Sequence, residues 1–351
     1  MAAKPPRIQR IGGDLSSGQV FVTGGTGFVG GRLVAALLAR GRSVRGLARK
    51  ASERPAAAER LEWVTGDILD RDSLRRGLAG CTEVFHLAAY AKNWAKDPSL
   101  FFRLNVEGAR NVFEVAAEAG VRRIVYTSTV VVFGPTPRGV VGNEEMPRAT
   151  PRFLTEYEES KAVAEKEALE LASRGVPIVA VHPTRVYGPG KLTEGNSVSL
   201  MIDQYDRGRF PVLPGRGENV GNYALVDDLV EGHVLAMEKG RVGERYILGG
   251  ENTSLKGLLR LVDELTQRRH IQVSLPRSVS MSYAALEKRK ADWLGVYPQI
   301  TPGWVETFLE DWAYTSAKAE RELGYRITPL REGIHRTLDW LHRPQRQRGA
   351  R

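Results

Sequence analysis

The sequence predicts an α/β protein: a doubly wound parallel sheet covered by helices on both faces, with a smaller, mostly helical C-terminal lobe. Three observations carry this. From residue 19 to about residue 187, β-branched runs alternate with segments of helical period. A glycine-rich turn, TGGTGFVG at residues 23–30, joins the first run to the first helix. Beyond Tyr187 the rhythm loosens into a Gly- and Pro-rich stretch, and then into helices carrying several of the tryptophans.

Each element follows in order. QVFVT (19–23) is a short β-branched strand, RLVAALLARG (32–41) has helical spacing of apolar residues, and SVRGLA (43–48) is the next apolar run. Strand, turn, helix and strand make a βαβ unit. LEWVTGD (61–67) reads as a strand, DRDSLRRGLAG (70–80) as a helix and TEVFHLAA (82–89) as a strand. Asn105 to Ala119 is the next helix, VRRIVYTST (121–129) a strand, LTEYEESKAVAEK (154–166) a charged helix and PIVAVHPTRVYG (177–188) a strand. VDDLVEGHVLAMEKG (226–240) reads as a helix whose acidic pair, Asp227 and Asp228, caps its start. ERYILGG (244–250) returns to the sheet. The expected organisation is a disordered leader over 1–18 and a nucleotide-binding domain over 19–187, to which 223–250 returns. A substrate lobe is built from 188–222 and 251–342, and a basic disordered tail covers 343–351.

The 351 residues, 42% hydrophobic and 26% charged, are ordinary for a globular protein and allow two domains. No apolar run approaches the roughly 20 residues of a membrane helix, so no membrane span is expected. The N-terminus lacks an apolar core of signal-peptide length. A single cysteine, Cys81, excludes an intrachain disulfide and suits a reducing compartment, so a cytoplasmic location is expected. The net charge of +10 raises the question of nucleic acid. Part of the excess lies in HRPQRQRGAR at the C-terminus, and no nucleic-acid motif is evident. The expected partner is instead a small molecule, with a phosphorylated cofactor to use the basic groups.

Gly24, Gly27 and Gly30 recur every three residues between a strand and a helix. Such glycines permit a tight turn and let a pyrophosphate approach the backbone, while the helix start offers free N–H groups. At the end of the second strand, where NAD sites place a carboxylate, stand Ala48, Arg49 and Lys50. A guanidinium suits a ribose 2′-phosphate, so NADP is favoured, with NAD possible; the plainer alternative is a pair of solvated loop cations. Tyr157 and Lys161 are four apart and share one helix face. A nearby cation favours phenolate, so Lys161 is expected to lower the Tyr157 pKa and fit it for moving a proton. His86 reads as a packing residue and no metal site is expected.

Taken in order, TGGTGFVG, GDILD, HLAA, NVEGARNV, YTST, YEESK and HPTRVYGPG resemble the extended short-chain dehydrogenase/reductase family, from about residue 19 to the ELGYR segment near residue 326. The resemblance implies a Rossmann domain, a nicotinamide cofactor, a homodimer and a Ser/Thr–Tyr–Lys catalytic group. Residue by residue, it assigns catalysis to Thr129, Tyr157 and Lys161, with Ser128 as a neighbour able to share the hydroxyl role. To the cofactor it assigns the turn (Gly24, Thr26, Gly27, Phe28, Val29, Gly30) and Arg49 and Lys50. Asp67 and Ile68 would flank the adenine and Ala88 would lie beside the cofactor phosphates and ribose, with Leu87, Ala89, Asn105 and Thr127 also assigned to the cofactor. Pro183 and Val186 would hold the nicotinamide, and Tyr157 and Lys161 also touch the cofactor.

Substrate choice falls to the lobe. Nucleotide-sugar epimerases place an arginine where VGNYALVDD has Gly221, and the second usual arginine finds no match in WVETFLEDWAYTSAK. Arg216, in PGRGEN, is the available substitute. HLAAYAKNWAKDP and GERYILGGEN resemble the dihydroflavonol reductase-like branch, with its hopanoid-associated sugar epimerases, and PGRGENVGNYALVDD resembles the 3β-hydroxysteroid dehydrogenase branch. Tyr90, Trp94 and Phe133 line an apolar pocket or belong to the core, Phe133 rather to the core. The expected activity is hydride transfer between nicotinamide and a ketone or secondary alcohol. Sugar epimerisation or dehydration with tightly held NAD is the second reading, and a redox-inactive NADP-binding regulator the third.

Overall fold

The computed structural model describes residues 18–53, 58–210 and 212–343. The expected leader and basic tail lie almost wholly outside them. In chain order the elements are β1 (Gln19–Thr23), α1 (Phe28–Ala39), β2 (Val44–Ala48), β3 (Leu61–Thr65), α2 (Arg71–Leu78), β4 (Cys81–His86), α3 (Ser99–Phe102), α4 (Gly108–Glu118), β5 (Arg123–Thr127) and α5 (Glu156–Ser173). Then come β6 (Ile178–Pro183), β7 (Arg185–Tyr187), α6 (Ser197–Asp206), β8 (Val212–Pro214), β9 (Val220–Leu225), α7 (Val226–Lys239), β10 (Arg245–Leu248) and β11 (Glu251–Ser254). The chain closes with α8 (Leu255–Thr266), β12 (Val273–Leu275), α9 (Arg277–Leu294), α10 (Pro302–Leu309), α11 (Ala317–Leu323) and α12 (Leu330–His342).

The main sheet has seven strands in the order β10-β6-β5-β4-β1-β2-β3, all parallel. The direction of winding reverses between β1 and β4, and ligands of such sheets bind in the crevice at the C-terminal ends there. Apolar runs such as VFVT are buried on both faces, as a sheet covered on both sides requires: Val20, Phe21 and Val22 are fully enclosed. One face packs α1 and α7 through Leu33, Leu37, Val226 and Leu229. The other packs α2, α4 and α5 through Leu74, Val112 and Ala168.

The structure departs from the expected elements in three places. The segment read as one strand, PIVAVHPTRVYG, is two. Pro183 ends β6 because it has no N–H for a further ladder bond, and β7 then pairs with β9 in a separate three-stranded sheet, β11-β9-β7. The helix expected from Asn105 begins earlier, as α3, and continues through a π-helical turn at Arg103–Glu107 into α4. Asp227 and Asp228 are in the first turn of α7, yet neither caps it. Asp227 pairs with Arg32 of α1, and Asp228 accepts bonds of 2.7 Å from both the N–H and the hydroxyl of Thr328.

Candidate active site

The turn after β1 is shaped by close approach. Gly24 has φ +74°, and a Cβ there would lie 2.6 Å from the Ala88 nitrogen, so the turn lies directly against the loop after β4. That loop is tied back: Leu87 N donates to Thr23 O at 3.2 Å and Ala88 N to the Thr23 hydroxyl at 3.3 Å. Helix α1 starts after Gly27 with no side-chain cap and no acidic residue in its first turn. Its first intrahelical bond is Gly31 N to Gly27 O, so the N–H groups of Phe28, Val29 and Gly30 lack helical partners. A Cβ-free cradle with uncapped donors fits a dinucleotide pyrophosphate. Phe28 packs against Gly190, so the loop after β7 folds over the same helix start.

Around this cradle stand the other expected cofactor residues. Arg49 and Lys50 follow β2 and are exposed, beyond Ala48 at the strand end. Asp67 and Ile68 follow β3. The Asp67 carboxylate accepts from Leu69 N at 3.0 Å, and the Ile68 carbonyl accepts from Asn111 at 3.2 Å. Asn105 lies in the π-helical turn, an irregularity frequent at functional sites. Its amide is committed to protein: it accepts from Tyr90 N at 2.7 Å and donates to Tyr90 O at 3.3 Å and to Ser160 at 2.9 Å. It therefore braces the loop after β4 against α5.

Helix α5 begins at a Thr155 cap, whose hydroxyl accepts from Glu158 N at 3.1 Å while Glu158 accepts from Leu154 N at 2.6 Å. Tyr157 thus occupies the first turn, at the positive end of the helix dipole, and Lys161 lies one turn further. Thr129, just beyond β5, accepts from Val131 N at 3.4 Å and stands near enough to the Tyr157 phenol to favour its ionised form. The electrostatics differ from expectation. Burial pushes the Tyr157 phenol up to about 12, opposed only by Thr129. Lys161 does not lower it, because its ammonium donates instead to Tyr126 Oη at 2.8 Å and Thr127 O at 2.9 Å. Burial in turn holds Lys161 down to about 7, against the field of Glu165.

Ser128, expected as a possible second hydroxyl, is turned away from Tyr157 and donates to the buried carboxylate of Glu165. His182 Nε2 meets the same carboxylate oxygen at 2.7 Å. Nothing in the sequence marks Glu165 except its place four residues beyond Lys161 on the same helix. His86 is a packing residue: it bonds the Thr23 hydroxyl at 2.7 Å and stacks on Tyr126, and burial then Lys161 hold its pKa down to about 3. Among the described residues no His, Cys, Asp and Glu group could hold a metal.

The substrate candidates separate. Tyr90 donates to Trp94 O at 3.3 Å and meets Phe101 edge-on, while Trp94 donates to Asp292 of α9 at 2.8 Å, so both join the loop after β4 to the lobe. Phe133 is buried against His182 and Tyr314, as a core residue. Arg216 lines a polar cleft with Arg138, Asn219 and Asp311, to which Thr129, Tyr157 and Lys161 do not contribute. The space beside Gly221 is filled by Arg185: a Cβ on Gly221 would lie 2.8 Å from its Nη1. Helix α10 spans the two places, with Gly303 against Leu154 and Thr155 and Thr307 O accepting from Arg185 at 2.9 Å.

Known proteins share this architecture. The profile of the NAD dependent epimerase/dehydratase family matches residues 20–249. A putative dihydroflavonol 4-reductase of Synechocystis sp. is 34% identical over 327 residues, 92% of this chain and 94% of that protein. Sterol demethylase protein B of Methylococcus capsulatus is 32% identical over 339 residues, 93% of this chain and 98% of that one. The crystal structure of gox2253 superposes with a TM-score of 0.80 at 35% identity, covering 95% of this chain and 99% of that chain.

Proposed function

The chain belongs to the NAD dependent epimerase/dehydratase family, the extended short-chain dehydrogenases/reductases, and on that premise we propose that it interconverts a ketone and a secondary alcohol with Tyr157 moving the proton. It is an NAD(P)-dependent oxidoreductase. One observation carries the assignment of roles: the buried Tyr157 phenol, with Thr129 beside it, stands in the first turn of α5 with Lys161 one turn on.

When bound, the nicotinamide supplies or accepts the hydride. The glycine turn and the free N–H groups of Phe28, Val29 and Gly30 would hold its pyrophosphate, Asp67 and Ile68 its adenosine side, and Pro183 and Val186 its reactive ring. Thr129 holds the substrate oxygen by hydrogen bonding. Tyr157, with its pKa pushed up to about 12, keeps its proton at neutral pH and donates it to the oxygen as that oxygen gains negative charge. Reduction of a ketone is therefore the favoured direction. Lys161 would hold the cofactor ribose. NADP is the preferred cofactor, supported by Arg49 and Lys50 at the end of β2, where no carboxylate follows Ala48 before Glu53. The reading includes an apolar ketone, in keeping with relatives named for dihydroflavonol and sterol, and a cytoplasmic homodimer. No described helix is long and apolar enough to cross a membrane.

Sugar epimerisation with retained NAD stays as a second reading for one reason. The Arg185 guanidinium beside Gly221 returns a cation to the place where that strand lacks its arginine. The two readings part on a purified sample. Reduction predicts stoichiometric NADPH consumption with a ketone panel; epimerisation predicts co-purified NAD and no net consumption. Tyr157→Phe is expected to lose most turnover, at least about 10²-fold, with an unchanged melting temperature. Near-normal turnover in that variant would remove Tyr157 from the chemistry.

A further inference from the structure

Helix α9 lies on the lobe with only a narrow face turned inward. Its buried residues are Ser280, Ala284 and Ala291, three small side chains spaced by whole helical turns. The helix is held at both ends. Arg277 pairs with Glu306 of α10 at 3.7 Å and with Glu310 at 3.9 Å. At the other end Trp94 donates to Asp292 at 2.8 Å, and just beyond the helix Tyr297 Oη accepts from Asn93 N at 3.1 Å. With the inner face fixed in this way, the outer face has a set orientation.

That outer face is apolar. Trp293 is 86% exposed and Leu286 64%, and Val279, Tyr283 and Leu294 are each exposed over about half their surface. At 3.6 residues per turn these five positions fall within an arc of about 100°, one stripe along the helix. Single exposed apolar residues are ordinary, but a contiguous run of them marks a surface that meets something.

The charges around the stripe select the partner. Lys290 lies within it and the exposed Arg289 at its edge, and the rest of the outward half is Ser278, Ser282 and Ala285, with no carboxylate. Lys96 adds a third cation at the C-terminal end, where a Cβ on Gly295 would lie 3.5 Å from its Nζ. Over residues 268–294 six basic residues stand against two acidic ones, so the whole approach is positive. A second copy of the stripe would bring Lys290 and Arg289 against their own images, with no carboxylate to receive them. An anionic lipid surface satisfies both parts: headgroups take the cations, and the boundary with the acyl chains takes leucine and the aromatic rings.

We propose that α9 docks this protein on an anionic membrane surface, lying flat with Val279, Tyr283, Leu286, Trp293 and Leu294 facing the lipid. The protein then lies on the membrane without crossing it. The anchored end of α9 meets the loop after β4, which also lies against the glycine turn at Ala88, so one loop separates the docked helix from the candidate active site.

The inference is independent of the proposed reaction, because vesicle binding is read without turnover. The test is co-sedimentation of the full chain with vesicles of phosphatidylglycerol or of phosphatidylcholine. Binding to phosphatidylglycerol is expected, weakening as salt rises, and at least about tenfold weaker to phosphatidylcholine. Leu286→Gln should lower it at least about tenfold and Arg289→Ala about fivefold, both with unchanged melting temperatures. Lipids brominated in the acyl chain should quench the fluorescence of the wild type, and Trp293→Phe should lose most of that quenching. Wild-type protein left in the supernatant at low salt overturns the inference, as does equal binding by Leu286→Gln. If vesicles bind neither protein and Leu286→Gln halves the mass in solution, the stripe is a contact between copies and the inference fails. Should Tyr157→Phe retain turnover while Leu286→Gln loses the vesicles, the proposed function fails and the docking surface stands.

Discussion

Adding a single methyl group at Gly30 should cripple cofactor binding, whereas adding one at the adjacent Gly31 should not. A Cβ on Gly30 would run first into the Gly24 carbonyl oxygen, and would lie 2.7 Å from the Gly24 carbonyl carbon and 3.0 Å from Gly25 Cα, all backbone atoms. Relief requires more than the roughly 0.7 Å that separates 2.7 Å from the 3.4 Å of ordinary contact, because the carbonyl oxygen is nearer than the carbon. A side chain could swing aside, but a turn fixed by Gly24 at φ +74° and by the Gly27 N to Gly24 O bond of 3.0 Å must move as a unit. Overpacking of this kind costs about 1–3 kcal/mol. Misplacing a binding constellation by about 1 Å costs up to about 10²-fold. On Gly31 the nearest atom to an added Cβ is Gly25 O at 3.5 Å, ordinary contact, and alanine is the better helix former by up to about 1 kcal/mol. The assay is cofactor titration by intrinsic fluorescence, with thermal melts of both variants. Gly30→Ala should weaken binding ten- to hundredfold, about 1.4–2.8 kcal/mol, and lower the melting temperature. Gly31→Ala should bind as wild type and melt no lower. Equal affinities for the two variants would refute the claim that backbone approach between the turn and the helix shapes the phosphate site.

Arg49→Ala should weaken NADPH binding about tenfold or more while leaving NADH binding nearly unchanged, checked by parallel titrations; an unaltered ratio of the two affinities removes Arg49 from cofactor choice. Stability should fall on mild acidification. His86 and His233 are buried as neutral imidazoles, with burial holding their pKa values down to about 3 and about 4. Unfolded histidine titrates near 6.5, so below that pH the unfolded chain takes up protons that the folded one refuses. Urea midpoints should therefore decline from pH 6.5 towards pH 4.5, above the range where carboxylates dominate. His86→Gln should flatten that slope, and an equally steep decline in the variant would show that His86 is not its source.

Much of this was legible in the sequence because it depends on local pattern. Alternating runs gave the sheet, the turn glycines gave the cradle, and the spacing of Tyr157 and Lys161 gave their shared helix face. What escaped depends on contacts between distant segments. Nothing near Lys161 in the chain says that its ammonium turns to Tyr126, 35 residues earlier, so the expected depression of the Tyr157 pKa was reversed by burial. Ser128 and Thr129 are adjacent, and only the strand's alternation decides which faces Tyr157 and which faces Glu165. The role of Arg185 beside Gly221 was invisible for the same reason, since it requires β7 and β9 to be neighbours. The end of β6 could have been foreseen from Pro183, whose missing N–H is a property of the residue itself.

The break between Pro183 and Arg185 also sets a rule for exchanging lobes between relatives. The natural place to cut a chimera is after Tyr187, where the alternation ends. Such a cut would keep β7 with the cofactor half and take its partner β9 from a foreign lobe, splitting the ladder Arg185–Tyr223, Val186–Ala224 and Tyr187–Leu225 across two parents. A graft that carries residues 185–187 together with 220–225 keeps that ladder in one lineage, so the seam belongs at Thr184. Three residues that read as the tail of one strand are, for recombination, the first residues of the other half.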